Sequence, residues 1–325
     1  MGNRLIPGKY TFPASSYLLI NENGIFKKAD KEIAAGLQDI GMVTDAVFTD
    51  INNDGNTDLM VVGEWMEIKL FINIDGKFVD RSLEYGLKDS RGIWWSITAG
   101  DLDGDGDDDY VLGNLGKNNK FKATEEHPFK VYANDFDDNG TNDVVLAKFY
   151  KDDYVPVRGR ECTSQQMPYV AEKFGDYHSF ASSNLLDILP DDKVEESVKY
   201  EIKNFESIVL INENDRLIKQ KLPNAAQVSP IKSSLIRDVN NDGINDIIAV
   251  GNHYGVEVET TRYDAGYGIV LLGSKNGKYE VVPAHKSGFY VPSDSRHLAE
   301  IKSDNKKMFV ISNNNEKLKI FSKTK

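Results

Sequence analysis

DINNDGNTD (residues 50–58), DLDGDGDDD (101–109), DFDDNGTND (135–143) and DVNNDGIND (238–246) are the stretches that decide how this chain is read. Each is a nonapeptide with Asp at positions 1 and 9, Asp or Asn at positions 3 and 5, and Gly at position 6. Each is preceded by a short β-like run (AVFT, ITAG, VYAN, SLIR) and followed by another (LMVVGEW, YVLGN, VVLAKFY, IIAVGN). Short β-branched and aromatic runs bounded by Asp, Asn and Gly read as strands. The repeating unit is strand, acidic loop, strand, and a chain built from it is all-β.

The spacing inside the loop is what a hard, oxygen-seeking cation requires. Positions 1, 3 and 5 aim side-chain oxygens at a common centre, Gly at position 6 permits the tight turn, position 7 offers a backbone carbonyl, and position 9 returns a carboxylate. The expected ligands are Asp50, Asn52, Asp54, Asn56 and Asp58 in the first loop, and Asp101, Asp103, Asp105, Asp107 and Asp109 in the second. In the third they are Asp135, Asp137, Asn139, Thr141 and Asp143, and in the fourth Asp238, Asn240, Asp242, Ile244 and Asp246. Up to four structural Ca²⁺ ions are expected. One Asp/Asn/Gly loop is an ordinary turn, but four copies in register concentrate more carboxylates than like-charge repulsion tolerates without a counter-ion. An EF-hand is excluded, because its twelfth position is a bidentate Glu between helices, and here those residues are Val61, Leu112, Leu146 and Ala249 in strand-like runs.

These loops resemble the FG-GAP or VCBS repeats of β-propellers related to the integrin α-subunit head, over about residues 17–321. GNLGKNNKF, YANDFDDNGTNDVV, PVRGRECTSQQMP and GNHYGVEVETTRYDAGYG are similar, more narrowly, to the C-terminal propeller of large bacterial VCBS-repeat proteins that often carry an ASPIC/UnbV module. The resemblance implies an all-β fold: a propeller of four-stranded blades, with calcium in the DxDxDGxxD loops. Residues 1–325 are read as one propeller domain or part of a larger one, with a helical insertion at about 160–204.

Composition narrows the partners. With 39 Lys and Arg against 51 Asp and Glu, the formal charge is −12, which offers no footprint for nucleic acid. No apolar run is long enough to span a membrane, and the first residues lack the apolar core of a signal peptide. Cys162 is the single cysteine, so there is no disulfide framework. Its Arg neighbours in sequence would favour a thiolate, but a bystander role is the plainer reading. The five histidines show no zinc spacing, and nucleophile-elbow, P-loop and dinucleotide motifs are absent.

Four strands fit at 44–50, 59–65, 68–74 and 77–82. The interval from Asp101 to Asp135 is too short for another full blade, which suggests that the third loop lies on the outer hairpin of the second blade, on the same face as the others. The long connections GEWME, GNLGKNNKFKATEEHPF, the helical insertion and GNHYGVEVETTRYDAGYG should emerge on the opposite face. Loops on a rigid scaffold carry function, and the candidates there are Trp94, Trp95, Arg158, Arg160, Glu161, His253, Tyr254, Arg262, Tyr263 and Asp264. Aromatic faces beside Arg and carboxylates suit glycan or peptide recognition. The bland alternatives are a Trp packed between blades and Arg262 with Asp264 stapling a loop.

The expected function is a calcium-stabilised binding or adhesion module outside the cytoplasm, extracellular, at the cell surface or periplasmic, meeting a glycan or protein and joined to further domains of a longer polypeptide. The first alternative is a polysaccharide lyase or hydrolase, which a deep pocket of convergent Arg, His, Tyr or acids would favour. The second is a purely structural scaffold.

Overall fold

The computed structural model describes residues 1–213, 216–303 and 306–322. Residues 214–215, 304–305 and 323–325 lie outside the described residues. The structure is mostly β, in several antiparallel sheets. A two-stranded hairpin, β1 (Leu19–Glu22) and β2 (Ile25–Lys28), comes first. The first four-stranded meander follows as β3 (Met42–Thr49), β4 (Asp58–Met66), β5 (Lys69–Ile74) and β6 (Lys77–Asp80), with the short β7 (Gly92–Ile93) pairing the end of β4. The strands match the expected ones to within two residues at each end.

The second sheet departs from expectation. It opens with β8 (Ser96–Gly100) and β9 (Asp109–Gly113), and is completed only by β14 (Ile208–Asn212) and β15 (Leu217–Lys221). The intervening chain forms a sheet of its own from β10 (Phe129–Asn134), β11 (Asp143–Tyr150), β12 (Asp153–Pro156) and β13 (Val198–Ile202). Five short helices, α1 (Arg160–Gln166), α2 (Tyr169–Lys173), α3 (Tyr177–Ala181), α4 (Leu185–Ile188) and α5 (Asp191–Glu196), connect β12 to β13. The expected helical insertion is therefore part of a larger one containing a whole sheet, and the tail of the expected span is strand β13. The third loop lies between β10 and β11, not on the outer hairpin of the second sheet, which corrects the expectation.

A third meander comprises β16 (Ile231–Arg237), β17 (Asp246–Gly251), β18 (Ile269–Leu272) and β19 (Glu280–Val282). After helix α6 (Ala284–Ser287), a three-stranded sheet of β20 (Ser295–Ser303), β21 (Lys306–Asn313) and β22 (Lys319–Ser322) ends the described chain.

The sheets stack face to face, and alternation along each second strand feeds two cores at once. Met60 packs toward the second sheet while Leu59 and Val61 pack toward residues 34–37. Tyr110 and Leu112 face the first sheet, whereas Val111 faces the third. Ile247 and Ala249 face the second sheet, whereas Ile248 and Val250 face the last. Burial on both sides explains why these strands are continuous apolar runs rather than alternating ones. The inner strands are tied laterally: Ile97 N–H donates to Asp45 Oδ2 at 3.0 Å, Thr98 Oγ1 to the Ser234 carbonyl at 3.2 Å, and Leu298 N–H to Ser233 Oγ at 3.0 Å.

Candidate functional site

All four acidic loops share one hydrogen-bond scaffold. The position-1 carboxylate accepts from the N–H of Gly at position 6: Asp50 from Gly55 at 2.9 Å, Asp101 from Gly106 at 3.2 Å, Asp135 from Gly140 at 2.8 Å and Asp238 from Gly243 at 3.0 Å. The position-9 carboxylate, buried in every copy, accepts from the N–H of position 2: Asp58 from Ile51, Asp109 from Leu102, Asp143 from Phe136 and Asp246 from Val239. In three sheets it also accepts from the third strand or the residue just after it, from Asn73, Asn212 and Gly273 at 2.8, 2.8 and 2.9 Å. Burial pushes the Asp109 and Asp143 carboxyls up to about 6, with neighbouring loop carboxylates adding to the effect.

Carboxylate oxygens of Asp101, Asp103 and Asp109 lie within 4.8 Å of one another, as do those of Asp135, Asp137 and Asp143. An all-oxygen anionic set of this kind fits a hard divalent cation. In the first and fourth loops, position 3 is an amide, Asn52 or Asn240, whose nitrogen donates to Asp54 or Asp242.

Loops one, two and four form one surface: Asn53 donates to Asp107, Asn245 to the Asp101 carbonyl, and Thr49 to Asp108. The third loop does not join them, contrary to expectation. Its Asn142 donates to the Tyr10 carbonyl at 3.3 Å, and Val144 and Leu146, immediately after it, line a pocket at the far ends of β4 and β17. The cause is the insertion, which leaves the second sheet at the end of β9 and carries its own loop to that side.

That pocket has a volume of about 470 Å³, within the usual range for small-molecule sites. Its apolar wall comes from Trp65, Phe121, Phe129 and Phe205, with Phe129 stacked 5.5 Å from Trp65 and 4.4 Å from Phe121. Its polar rim is paired. Arg4 donates from Nε and Nη2 to Glu64 Oε2 at 2.9 and 2.7 Å, and Tyr10 donates to Glu64 Oε1 at 3.0 Å. Opposite, Arg158 donates to Glu257 at 3.1 and 2.8 Å. Burial, followed by the Glu64 charge, holds the Tyr10 phenol well above its ordinary range, so it stays a donor.

Trp95 lies at the centre of the charged groups. The Lys232 ammonium is 4.9 Å and the Arg4 guanidinium 5.6 Å from its ring, and His253 packs at 5.0 Å. Its indole N–H is buried without a hydrogen-bond partner among the described residues. Behind it, buried Lys232 contacts Asp294 at 3.1 Å and His253 Nδ1 at 2.9 Å. Burial, with Arg296 nearby, lowers the Lys232 amine to about 8, and burial with the Lys232 charge lowers the His253 imidazole to about 4. An ammonium can only donate, so His253 Nδ1 accepts and Nε2 carries the ring proton.

Of the residues singled out in the sequence, the structure brings Trp95, Arg158, His253 and Tyr263 to this pocket. Trp94 is buried between the first two sheets and donates to the Ser90 carbonyl, so it is a packing residue. Arg160 caps α2 through the carbonyls of Ala171 and Phe174, and Glu161 accepts from Tyr177. Arg262 covers the Tyr254 ring at 5.3 Å, and Tyr254 donates to the Pro292 carbonyl. Asp264 does not line the pocket. The Cys162 thiol donates to Glu259 at 2.9 Å, which raises its pKa. That is the reverse of what its Arg neighbours suggested, and it makes the thiol a poor nucleophile.

Arg4, Tyr10, Glu257, Lys232 and Asp294 carry no mark in the sequence. They come from the N-terminal segment, the loop after β17, strand β16 and the segment just before β20, and no local pattern links them. Glu64 and Trp65 fall within the GEWME connection already placed on this side.

A family model described as an FG-GAP-like repeat matches residues 50–112, which contain the first two acidic loops. The chain thus carries an FG-GAP-like repeat, consistent with the FG-GAP/VCBS class of repeat proteins. Among proteins of curated function, none matches it. Among the described residues, no helix is long and apolar enough to cross a membrane.

Proposed function

We propose that the protein is a calcium-stabilised binding module of the propeller type, acting outside the cytoplasm, whose ligand occupies the pocket around Trp65 and Trp95. The observation that carries this reading is the pocket itself: aromatic walls, two Arg–carboxylate forks and an unpartnered indole N–H, collected at one end of a rigid stack of sheets. Aromatic faces stack on the apolar face of a sugar ring, and paired forks and a free donor bond its hydroxyls. Its size suits one or two sugar residues rather than a flat protein surface.

The acidic loops supply rigidity. Calcium held by Asp50, Asp101, Asp135, Asp238 and their loop partners would neutralise carboxylates that otherwise repel, and near-millimolar calcium outside cells saturates even weak loops. Three of the four loops lie away from the pocket, which favours a structural role for them.

A second reading is favoured by the convergence of Arg4, Arg158, His253, Tyr10 and Glu64 on the pocket, as in an enzyme that acts on a polysaccharide. Against it, each of these groups is already paired, and none is left as a free base or nucleophile. A glycan array run beside a turnover screen on polysaccharides separates the two. The expected result is saturable glycan binding, lost in Trp95→Ala, without product release; turnover would replace the binding reading with the enzymatic one.

A further inference from the structure

The carboxylates around the pocket are outnumbered by cations. Arg4 is the cation on Glu64, but Glu257 is shared by Arg158 at 2.8 Å and Lys120 at 3.5 Å. Behind Trp95, Asp294 is likewise shared, by Lys232 and Arg296, each at 3.1 Å. Five cations thus meet three carboxylates, in a chain whose formal charge is −12. Glu259, two residues from Glu257, turns to the Cys162 thiol and does not line the pocket. The surplus acts on His253: after burial, the charges of Lys232, Arg296 and Arg4 hold its imidazole low, with Asp294 opposing them.

The unused hydrogen-bonding capacity has the same sign. Glu64 accepts on both oxygens, from Arg4 and Tyr10, and Glu257 accepts on both, from Arg158 and Thr260. Arg4 and Arg158 each spend Nε and Nη2 on these carboxylates, and the Nη1 edge of each has no partner among the described residues. Their side chains are 46% and 37% exposed, and both line the pocket. His253, accepting at Nδ1, presents a further N–H at Nε2. Free donors in a positive field select an anion, and a guanidinium edge suits a carboxylate. An inorganic ion would leave most of the 470 Å³ and the Phe129 wall unfilled, so the charge belongs to a larger ligand with an apolar face.

We propose that the ligand is an acidic sugar, a uronic acid residue whose carboxylate accepts from Nη1 of Arg158 while its ring lies on the aromatic wall. Lys120, Lys232 and Arg296 supply the field that favours the charge, and none of the three lines the pocket. This inference rests on the reading of the pocket as a glycan site and adds the class of sugar that it takes.

The test is calorimetry on the full chain with calcium, using galacturonate, mannuronate and glucuronate disaccharides beside their methyl esters, which keep the ring and remove the charge. At least one acid should bind about tenfold or more tighter than its ester, the effect of one hydrogen bond between charged groups. That advantage should shrink as salt is raised, and fall to about twofold or less in Arg158→Gln. A second measurement needs no variant. Trp65 and Trp94 are buried and Trp95 is not, so iodide should quench the tryptophan fluorescence more than caesium does, against the sign of the whole chain. Esters bound as tightly as acids, an acid advantage unchanged in Arg158→Gln, or caesium quenching equal to that of iodide overturns the inference and leaves the glycan reading standing. Binding of neither acids nor esters overturns the glycan reading, and this inference with it.

Discussion

Trp65 shows most directly how the pocket is held. Its backbone lies at φ +57°, a region that costs a bulky residue on the order of 1–3 kcal/mol. The pairing of β4 with β7 shifts register there, between Glu64 and Met66, and the displaced residue turns its ring onto Phe129 and its N–H to Tyr10. Replacement by Gly would relieve the backbone but lose the buried ring, so Trp65→Gly should cost about 2–3 kcal/mol net, measured by denaturant unfolding. His253 carries a pH signature. With its folded pKa near 4 and an ordinary value near 6.5, the folded state binds fewer protons than the unfolded chain between those limits. Its contribution is complete above about pH 6.5 and is lost as pH falls through about 4. Allowing for solvent screening, this is about 1–2 kcal/mol. Melting curves at pH 7 and pH 4.5 should therefore show a smaller acid-induced fall for His253→Gln than for the unchanged protein.

At the scale of the element, the acidic loop is a closed set of donors and acceptors, and in three of the four loops its ninth residue also bonds the chain of the third strand. Asp109 accepts from Leu102 on one oxygen and from Asn212, on the strand that returns after the insertion, on the other. Asp109→Asn leaves one of these buried amides facing an NH₂ group, which should cost about 1–3 kcal/mol, read as a lower melting temperature at saturating calcium. The third loop differs in position, and among the described residues its Asp143 accepts from Phe136 without the third-strand donor seen in the other three loops. Asp135→Ala should weaken ligand binding measured by calorimetry, because Asn142, Val144 and Leu146 connect that loop to Tyr10 and the pocket wall. Asp50→Ala, on the opposite surface, should lower the melting temperature and leave affinity within about twofold.

For the whole molecule, the formal charge of −12 is largely a property of the loops. Four bound divalent ions would bring it to about −4. Chelation should therefore lower the melting temperature by several degrees, with the fall shrinking at high ionic strength as carboxylate repulsion is screened. An unchanged midpoint with chelator would remove the calcium reading.

The sequence by itself determined the strand–acidic loop–strand unit and the bounds of the first sheet. These are local matters: loop chemistry depends on residues within one nonapeptide, and strand character on runs of a few. Only the tertiary structure decided where the third loop points and which side chains meet at the pocket. The second sheet is interrupted after β9 and resumed at β14, so spacing along the chain misled about the third loop. Arg4 reaches Glu64, and Lys232 reaches Asp294 and His253, across chain separations that no periodicity encodes. Buried charges of that kind are stable only when paired, and the pairing is a property of the assembled sheets.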